Sequence, residues 1–288
     1  MMNTISSENF LRIGAVRYLN SKPLIEGLES HLPFSELRLD YPSLLADDLS
    51  EGLLDLALVP SIETIRHSGY KIVSNACVAA CGPVQSVMLY SRVPLHNISR
   101  LALDAGSRTS AILVQILLAR RFGITPEIEL LPISHSVEEC SADAVLLIGD
   151  RALHPPRERF NTSWDLGEEW FHQTGLPFVF ACWVSPNNNC SDKVIAALNQ
   201  SRDRGINSLE EIARSASQSL AVDKPIAYRY LRDHLSYHLG VAEKKGLQLF
   251  HEMVMEFDIL SKAADFQQSS DSIDVGSHHF PLLRQKCA

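Results

Sequence analysis

LDLALVPSIE, residues 54–63, runs from an acidic residue through a continuous apolar strand into a turn that opens a helix. ADAVLLIGDRA, residues 142–152, takes the same step again. An apolar run that does not alternate marks a strand covered on both faces, as parallel strands in α/β sheets are. Outward from the first copy, LRIGAV (11–16) leads to a helix from Lys22, LRLDY (37–41) to a helix opened by Pro42 and Ser43, and LDLALV (54–59) to a helix from Ser61. Two strand-like runs follow, KIVSNACVAAC and VQSVMLYSR. A second βα series then begins at Arg100: LALD (101–104), a helix over Arg108 to Phe122, IELL (128–131), a helix near Ser136, AVLLIG (144–149) and a helix near Asp150.

Two α/β units therefore lie in tandem. After LPFVFACWVSP (176–186), periodic segments at 191–204, 208–220, 225–239 and 241–262 predict helices. The expected layout is a first lobe from 11–98 plus 181–264 and a second from 99–180. Two strand-like crossings, near 86–98 and 178–186, would form a hinge, and the polar tail 265–288 is expected to be disordered. A ligand belongs between the lobes at the carboxyl ends of the strands.

The chain has 288 residues, enough for two such lobes. Lys and Arg number 26 against 34 Asp and Glu, a net charge of −8, and no basic footprint for nucleic acid is visible. No apolar stretch approaches the ~20 residues that cross a bilayer. Glu8 and Asn9 stand where an export leader would be basic and then apolar, which predicts no export. Six cysteines at 77, 81, 140, 182, 190 and 287 are scattered, as free thiols in a reducing cytoplasm are.

Residues after each strand are the site candidates: Arg17, Tyr18, Asn20 and Ser21; Pro60 and Ser61; Ser107, Arg108, Thr109 and Ser110; Gly149 and Asp150; with Ser86 in the apolar crossing at 84–90. Most are small hydrogen-bond donors at helix openings. Such openings bind carboxylate or phosphate through backbone N–H groups and hydroxyls. Ser61, Ser107 and Ser110 are equally readable as plain N-caps. His234 and His238 are four apart, but Leu235 breaks the HExxH pattern, and no metal-ligand set has credible spacing. Asp143 with Asp150, and Glu138 with Glu139, read more readily as solvated carboxylates than as acid/base pairs. Dinucleotide, P-loop and nucleophile-elbow signatures are absent from the sequence.

Five stretches, RIGAVRYLNSKPL (12–24), DLALVPSIE (55–63), LALDAGSRTSAILVQILL (101–118), DAVLLIGDRAL (143–153) and DLGEEWFHQTGLPFVFACWV (165–184), resemble the chorismate dehydratase family of the futalosine route to menaquinone. The resemblance spans about 11–260 and implies a type II periplasmic-binding-protein architecture, two α/β lobes around a cleft. It implies dehydration of chorismate to 3-[(1-carboxyvinyl)oxy]benzoate without metal or organic cofactor. On that basis Asn20 and Ser86 are expected to be catalytic, Asn20 holding polar groups of the substrate and Ser86 bonding the reacting region. Ser107, Thr109 and Ser110 would cradle a carboxylate, with Ser61 assisting from the other lobe. Ser21, Arg108, Gly149 and Asp150 are further candidate contacts. The base is either the substrate's enolpyruvyl carboxylate or Asp150. The same architecture also suits a cytoplasmic binding protein or sensor for a small carboxylate. Chorismate is the expected partner, with no nucleic acid and no membrane; the oligomeric state is not predicted.

Overall fold

The structure, a computed structural model, describes residues 10–186 and 190–258. The tail expected to be disordered, 265–288, lies outside them. The strands are β1 (Leu11–Val16), β2 (Ser35–Asp40), β3 (Leu56–Pro60), β4 (Tyr70–Ala80), β5 (Val87–Ser91), β6 (Arg100–Asp104), β7 (Glu127–Leu131), β8 (Ala144–Ile148), β9 (Thr162–Asp165), β10 (Phe178–Pro186) and β11 (Ser236–His238). The helices are α1 (Lys22–Ile25), α2 (Leu28–His31), α3 (Pro42–Ser50), α4 (Glu63–Arg66), α5 (Thr109–Phe122), α6 (Leu166–Thr174), α7 (Asp192–Asn207), α8 (Leu209–Ser219), α9 (Lys224–Arg229) and α10 (Val241–Glu256).

Two sheets carry the chain, ordered β11-β4-β10-β3-β1-β2 and β7-β6-β8-β5-β9. In the first, β1 pairs in parallel with β2 and β3, and β10 runs antiparallel to β3 and β4. In the second, β6 pairs in parallel with β7 and β8, and β5 runs antiparallel to β8 and β9. β3 and β8, the two copies of the opening step, thus hold the same place, each between a parallel neighbour and an antiparallel one. Every residue of both strands is buried. Alternation in β8 sends Ala144, Leu146 and Ile148 into the main core and Val145 and Leu147 into a smaller one on the opposite face. That two-sided burial is why the strands read as continuous apolar runs.

Sheet membership moves the expected boundaries. β5, placed with the first lobe, pairs within the second sheet, and β10 lies wholly in the first. The chain crosses between sheets at 81–86 and returns after α6, over 175–177. The helices expected near Ser136 and Asp150 are single 3-10 turns, Val137–Glu139 and Gly149–Arg151. Pro155 and Pro156 follow the second too closely for a helix to extend. The helix expected over 225–239 breaks into α9, a π-turn at Tyr230–His234 and β11, which pairs with the edge of β4. His234 and His238 therefore do not share a helical face.

The late helices pack on the first sheet, α7 against β4 and α10 against β10, and α7 also packs on α1. Gly205 on α7 lies so close to the Pro23 carbonyl that a Cβ there would overlap it. Trp170, Phe178 and Phe250 meet edge to face where α6, β10 and α10 converge, at ring separations of 5.0 Å for the Trp170–Phe178 and Phe178–Phe250 pairs. Among the described residues, no helix is long and apolar enough to cross a membrane.

Candidate active site

A cleft opens between the sheets, at the carboxyl ends of β1, β3, β6 and β8. Its walls are largely apolar, with Val16, Val84, Ile148 and Phe180 among them. Of the candidate residues, Tyr18, Asn20, Pro60, Ser86, Ser107, Arg108, Thr109, Ser110 and Gly149 line it. Among the described residues, the only ionisable side chains in the lining are those of Tyr18 and Arg108.

Ser86 is presented by the crossing rather than by a helix. Gln85, just before it, has φ of 60°, a left-handed conformation costly for a side chain with a Cβ. The buried Asp165 carboxylate holds it there, accepting the Val84 N–H at 3.0 Å and the Gln85 N–H at 2.7 Å. The same carboxylate caps α6 by accepting the N–H groups of Gly167 and Glu168 at 2.9 and 3.1 Å. Ser86's own carbonyl accepts the Gly149 N–H at 2.8 Å. The Ser86 hydroxyl, Asn20 Oδ1 and the Tyr18 hydroxyl are buried without a partner.

On the opposite wall stands the N-terminus of α5. Its N-cap residue, Arg108, supplies no side-chain cap, so the first-turn amides of Thr109 and Ser110 have no acceptor of their own in the helix. The helix dipole and the Ser110 and Thr109 hydroxyls add to this donor set. The Thr109 hydroxyl also accepts the Ile62 N–H at 3.2 Å, tying α5 to the first lobe. Ser107 acts partly as a cap, its Oγ accepting the Ala111 N–H at 3.2 Å.

Four candidates fall outside the lining. Arg17 is exposed, its guanidinium over the Tyr41 ring. Ser21 is fully buried and donates to the carbonyls of Val16 and Tyr18, closing its own turn. Ser61 donates to the Val179 carbonyl at 2.7 Å and lies 3.4 Å from the Thr109 hydroxyl, behind the cradle rather than in it. Asp150 accepts the Leu19 N–H at 2.8 Å across the lobes. Burial pushes its carboxyl above the ordinary value, against the pull of that hydrogen bond. Arg108 lines the cleft, but its guanidinium is committed to Asp47 at 2.5 Å and Glu63 at 3.2 Å, both from the first lobe. Burial disfavours its charge, yet the Glu63 and Asp47 carboxylates outweigh that and raise its pKa.

Tyr18, named at the strand end but without a role, is the residue on which the lobes close. Its ring packs on Gly149, whose φ of 61° and missing Cβ make room; a Cβ there would sit 2.5 Å from the ring. Asp165 escaped sequence reasoning altogether, since it follows no strand facing the cleft. Among the described residues, no group of three or more His, Cys, Asp or Glu side chains could hold a metal ion.

The family model for menaquinone biosynthesis matches residues 11–256. A chorismate dehydratase of Thermus thermophilus is 32% identical over 259 residues, covering 83% of this chain and 93% of that protein. A chorismate dehydratase of Campylobacter jejuni is 27% identical over 164 residues, covering 57% of this chain and 58% of its own. A solved protein of Archaeoglobus fulgidus superposes with a TM-score of 0.69 at 14% identity, over 86% of this chain and 98% of that one. The periplasmic aliphatic sulphonate binding protein of Escherichia coli does so at 0.56 and 15%, over 86% and 87%. These two likenesses establish a two-lobed periplasmic-binding-protein fold.

Proposed function

The chain belongs to the menaquinone biosynthesis family, and from that premise we propose that it dehydrates chorismate to 3-[(1-carboxyvinyl)oxy]benzoate, acting as a carbon–oxygen hydro-lyase. The Thermus relative supports the substrate. The observation that carries the reading is the cleft lining: dipolar donors and the paired Arg108, with no carboxylate and no imidazole among the described residues there.

Chorismate brings two carboxylates to a cleft whose donors are neutral apart from Arg108, which is already paired with Asp47 and Glu63. The proton at its C3 is vinylogously acidic through the ring carboxylate. Once it leaves, the C3–H electron pair delocalises onto that carboxylate, and the returning electrons expel the C4 oxygen. Hydroxide and the proton leave together as water, and the ring becomes aromatic. The protein's task is then to orient the substrate and stabilise charge on the ring carboxylate. The α5 amides with Ser107, Thr109 and Ser110 suit that carboxylate, and Asn20 and Ser86 face the reacting region. The substrate's own enolpyruvyl carboxylate takes the C3 proton, a role supported by a lining that holds no Asp, Glu, His or Lys among the described residues. Arg108 acts here as a clasp between lobes, and no organic cofactor enters the reaction. Free thiols at Cys77, Cys81, Cys140, Cys182 and Cys190 suit a cytoplasmic site of action.

The test is an absorbance trace of chorismate with purified protein. Appearance of an aromatic product is expected; an unchanged spectrum with saturable binding would make the protein a carboxylate receptor instead.

A further inference from the structure

Tyr18 lines the cleft and is 4% exposed, yet its phenolic oxygen has no hydrogen-bond partner among the described residues. Buried polar groups in folded proteins are nearly always paired, so an orphan in a ligand cleft calls for a partner that the ligand brings. The ring has little freedom to turn the hydroxyl elsewhere. It is wedged against Gly149 of the second lobe, where a Cβ would sit 2.5 Å away, and it meets the Tyr41 ring edge to face at 6.0 Å between centroids. From there the hydroxyl reaches the loop that opens α5: a Cβ on Gly106 would lie 3.1 Å from the phenolic oxygen. Gly106 also lines the cleft and directly precedes Ser107, Arg108 and the first turn of α5.

The acceptors nearest that hydroxyl are already engaged. Asp104 Oδ1, 3.2 Å from the same Cβ position, accepts the Gly106 N–H at 2.9 Å, and Asp104 Oδ2 accepts from the Arg151 guanidinium at 2.9 Å. The Ser107 N–H donates to the Asp104 carbonyl at 2.8 Å, which fixes the loop beside the phenol. Burial raises the Tyr18 pKa and the Asp104 carboxylate adds to it, so the phenol stays neutral and keeps a proton to donate. Across the cleft, the unpaired amides at the opening of α5 favour an anion. A free donor of the first lobe thus stands where the second lobe draws a negative charge, and a carboxylate is the acceptor that makes the strongest bond with it.

We propose that Tyr18 binds substrate: its phenol donates a hydrogen bond to the carboxylate seated at the opening of α5, completing from the first lobe a cradle whose other donors, at Ser107, Thr109 and Ser110, belong to the second. The proposal rests on the dehydration reading above, which puts the ring carboxylate there. As the C3 proton leaves and negative charge gathers on that carboxylate, the bond strengthens, so the phenol acts on turnover as well as on binding.

The experiment is Tyr18→Phe, which keeps the ring on Gly149 and removes one oxygen. The expected result is a kcat/KM for chorismate lower by about 10- to 100-fold. The melting temperature should hold or rise, because an unpaired buried hydroxyl is gone. The acceptor is identified with the aromatic product and its ring amide as competitive inhibitors. The substitution should weaken the carboxylate form by about 10-fold or more and the amide by less than about threefold, since only the first brings a charge to the phenol. Three results overturn the proposal: kcat/KM within about twofold of the parent, a carboxylate inhibitor weakened no more than its amide, or a melting temperature lower by more than about 5 °C, which would assign the hydroxyl to the fold. The parent protein runs in the same assay. If it leaves chorismate unchanged, the dehydration reading fails and this proposal falls with it; if it turns chorismate over and Tyr18→Phe matches it, only the role of the phenol is lost.

Discussion

Asn20 and Ser86 hold their polar atoms in a largely apolar cleft without protein partners, and each fills little core volume. Asn20→Ala and Ser86→Ala should therefore lower turnover by about 10²–10³ while leaving the melting temperature nearly unchanged. Steady-state rates and thermal melts of the two variants check this, and near-parental turnover in both would remove them from the reaction. Ser21, Ser61 and Asp150 show how closely residues of the same local type can diverge. Ser21 stands beside Asn20 in the chain, yet its hydroxyl turns back to the Val16 and Tyr18 carbonyls.

Between residues and lobes lie the elements, and Asp165 belongs to two of them. One carboxylate caps α6 and pins the strained turn before Ser86. Asp165→Ala should cost about 2–4 kcal/mol in urea unfolding, combining a lost cap with lost charge-assisted bonds. It should also lower kcat, because Gln85 is free to leave its left-handed conformation and carry Ser86 with it. A variant that loses stability but keeps full kcat would dissociate the two roles. The start of β3 carries a pH-dependent link: Asp55 accepts the Arg12 backbone N–H at 2.9 Å and the Arg12 guanidinium at 2.6 Å. Burial raises the Asp55 carboxyl, but the bonds from Arg12 outweigh it and hold the pKa below the ordinary 3.8. The stabilisation is thus complete above that ordinary value and disappears as pH falls through the lower folded one. Asp55→Asn should be less stable than the parent at pH 7, with the gap closing in strong acid. Urea midpoints measured down the pH scale check it, and a gap independent of pH would detach the effect from this carboxylate.

At the scale of the whole molecule, the contacts that join the lobes around the cleft include Leu19 N–H on Asp150, Tyr18 on Gly149, Ile62 N–H on Thr109, and Arg108 on Asp47 and Glu63. Asp150 is a part of this clasp rather than of the cleft lining, and an asparagine there still offers Leu19 an oxygen. Asp150→Asn should accordingly keep at least about a tenth of parental turnover, where loss of a true base would cost ~10²–10⁴. A chorismate analogue with its enolpyruvyl carboxylate replaced by an amide should bind and fail to eliminate water. Binding is measured separately, and turnover is compared at saturation. Rapid aromatisation of the bound amide, or near-abolished turnover in Asp150→Asn with binding intact, would return Asp150 to the role of base.

Local chemistry sufficed for the strands. β1, β6 and β8 lie within a residue of their apolar runs, because burial on both faces leaves a run without polar interruptions. The donor wall at α5 was legible for a similar reason: a strand end followed by Ser-Arg-Thr-Ser must open a helix, and helix openings bind anions. The sequence by itself thus determined the two α/β units, the cleft between them and most of its polar lining. Tertiary structure alone decided which sheet β5 joins, that 225–239 breaks into a π-turn and a strand, and that Asp150 clasps while Ser86 faces the cavity. It also brought Asn20, Ser86 and the start of α5, which lie in three separate stretches of the chain, to one cleft. Periodicity and turn residues record what each segment buries and where it bends, over a few residues. Which buried polar atom faces a cavity depends on segments distant in the chain packing together, and no local pattern carries that information.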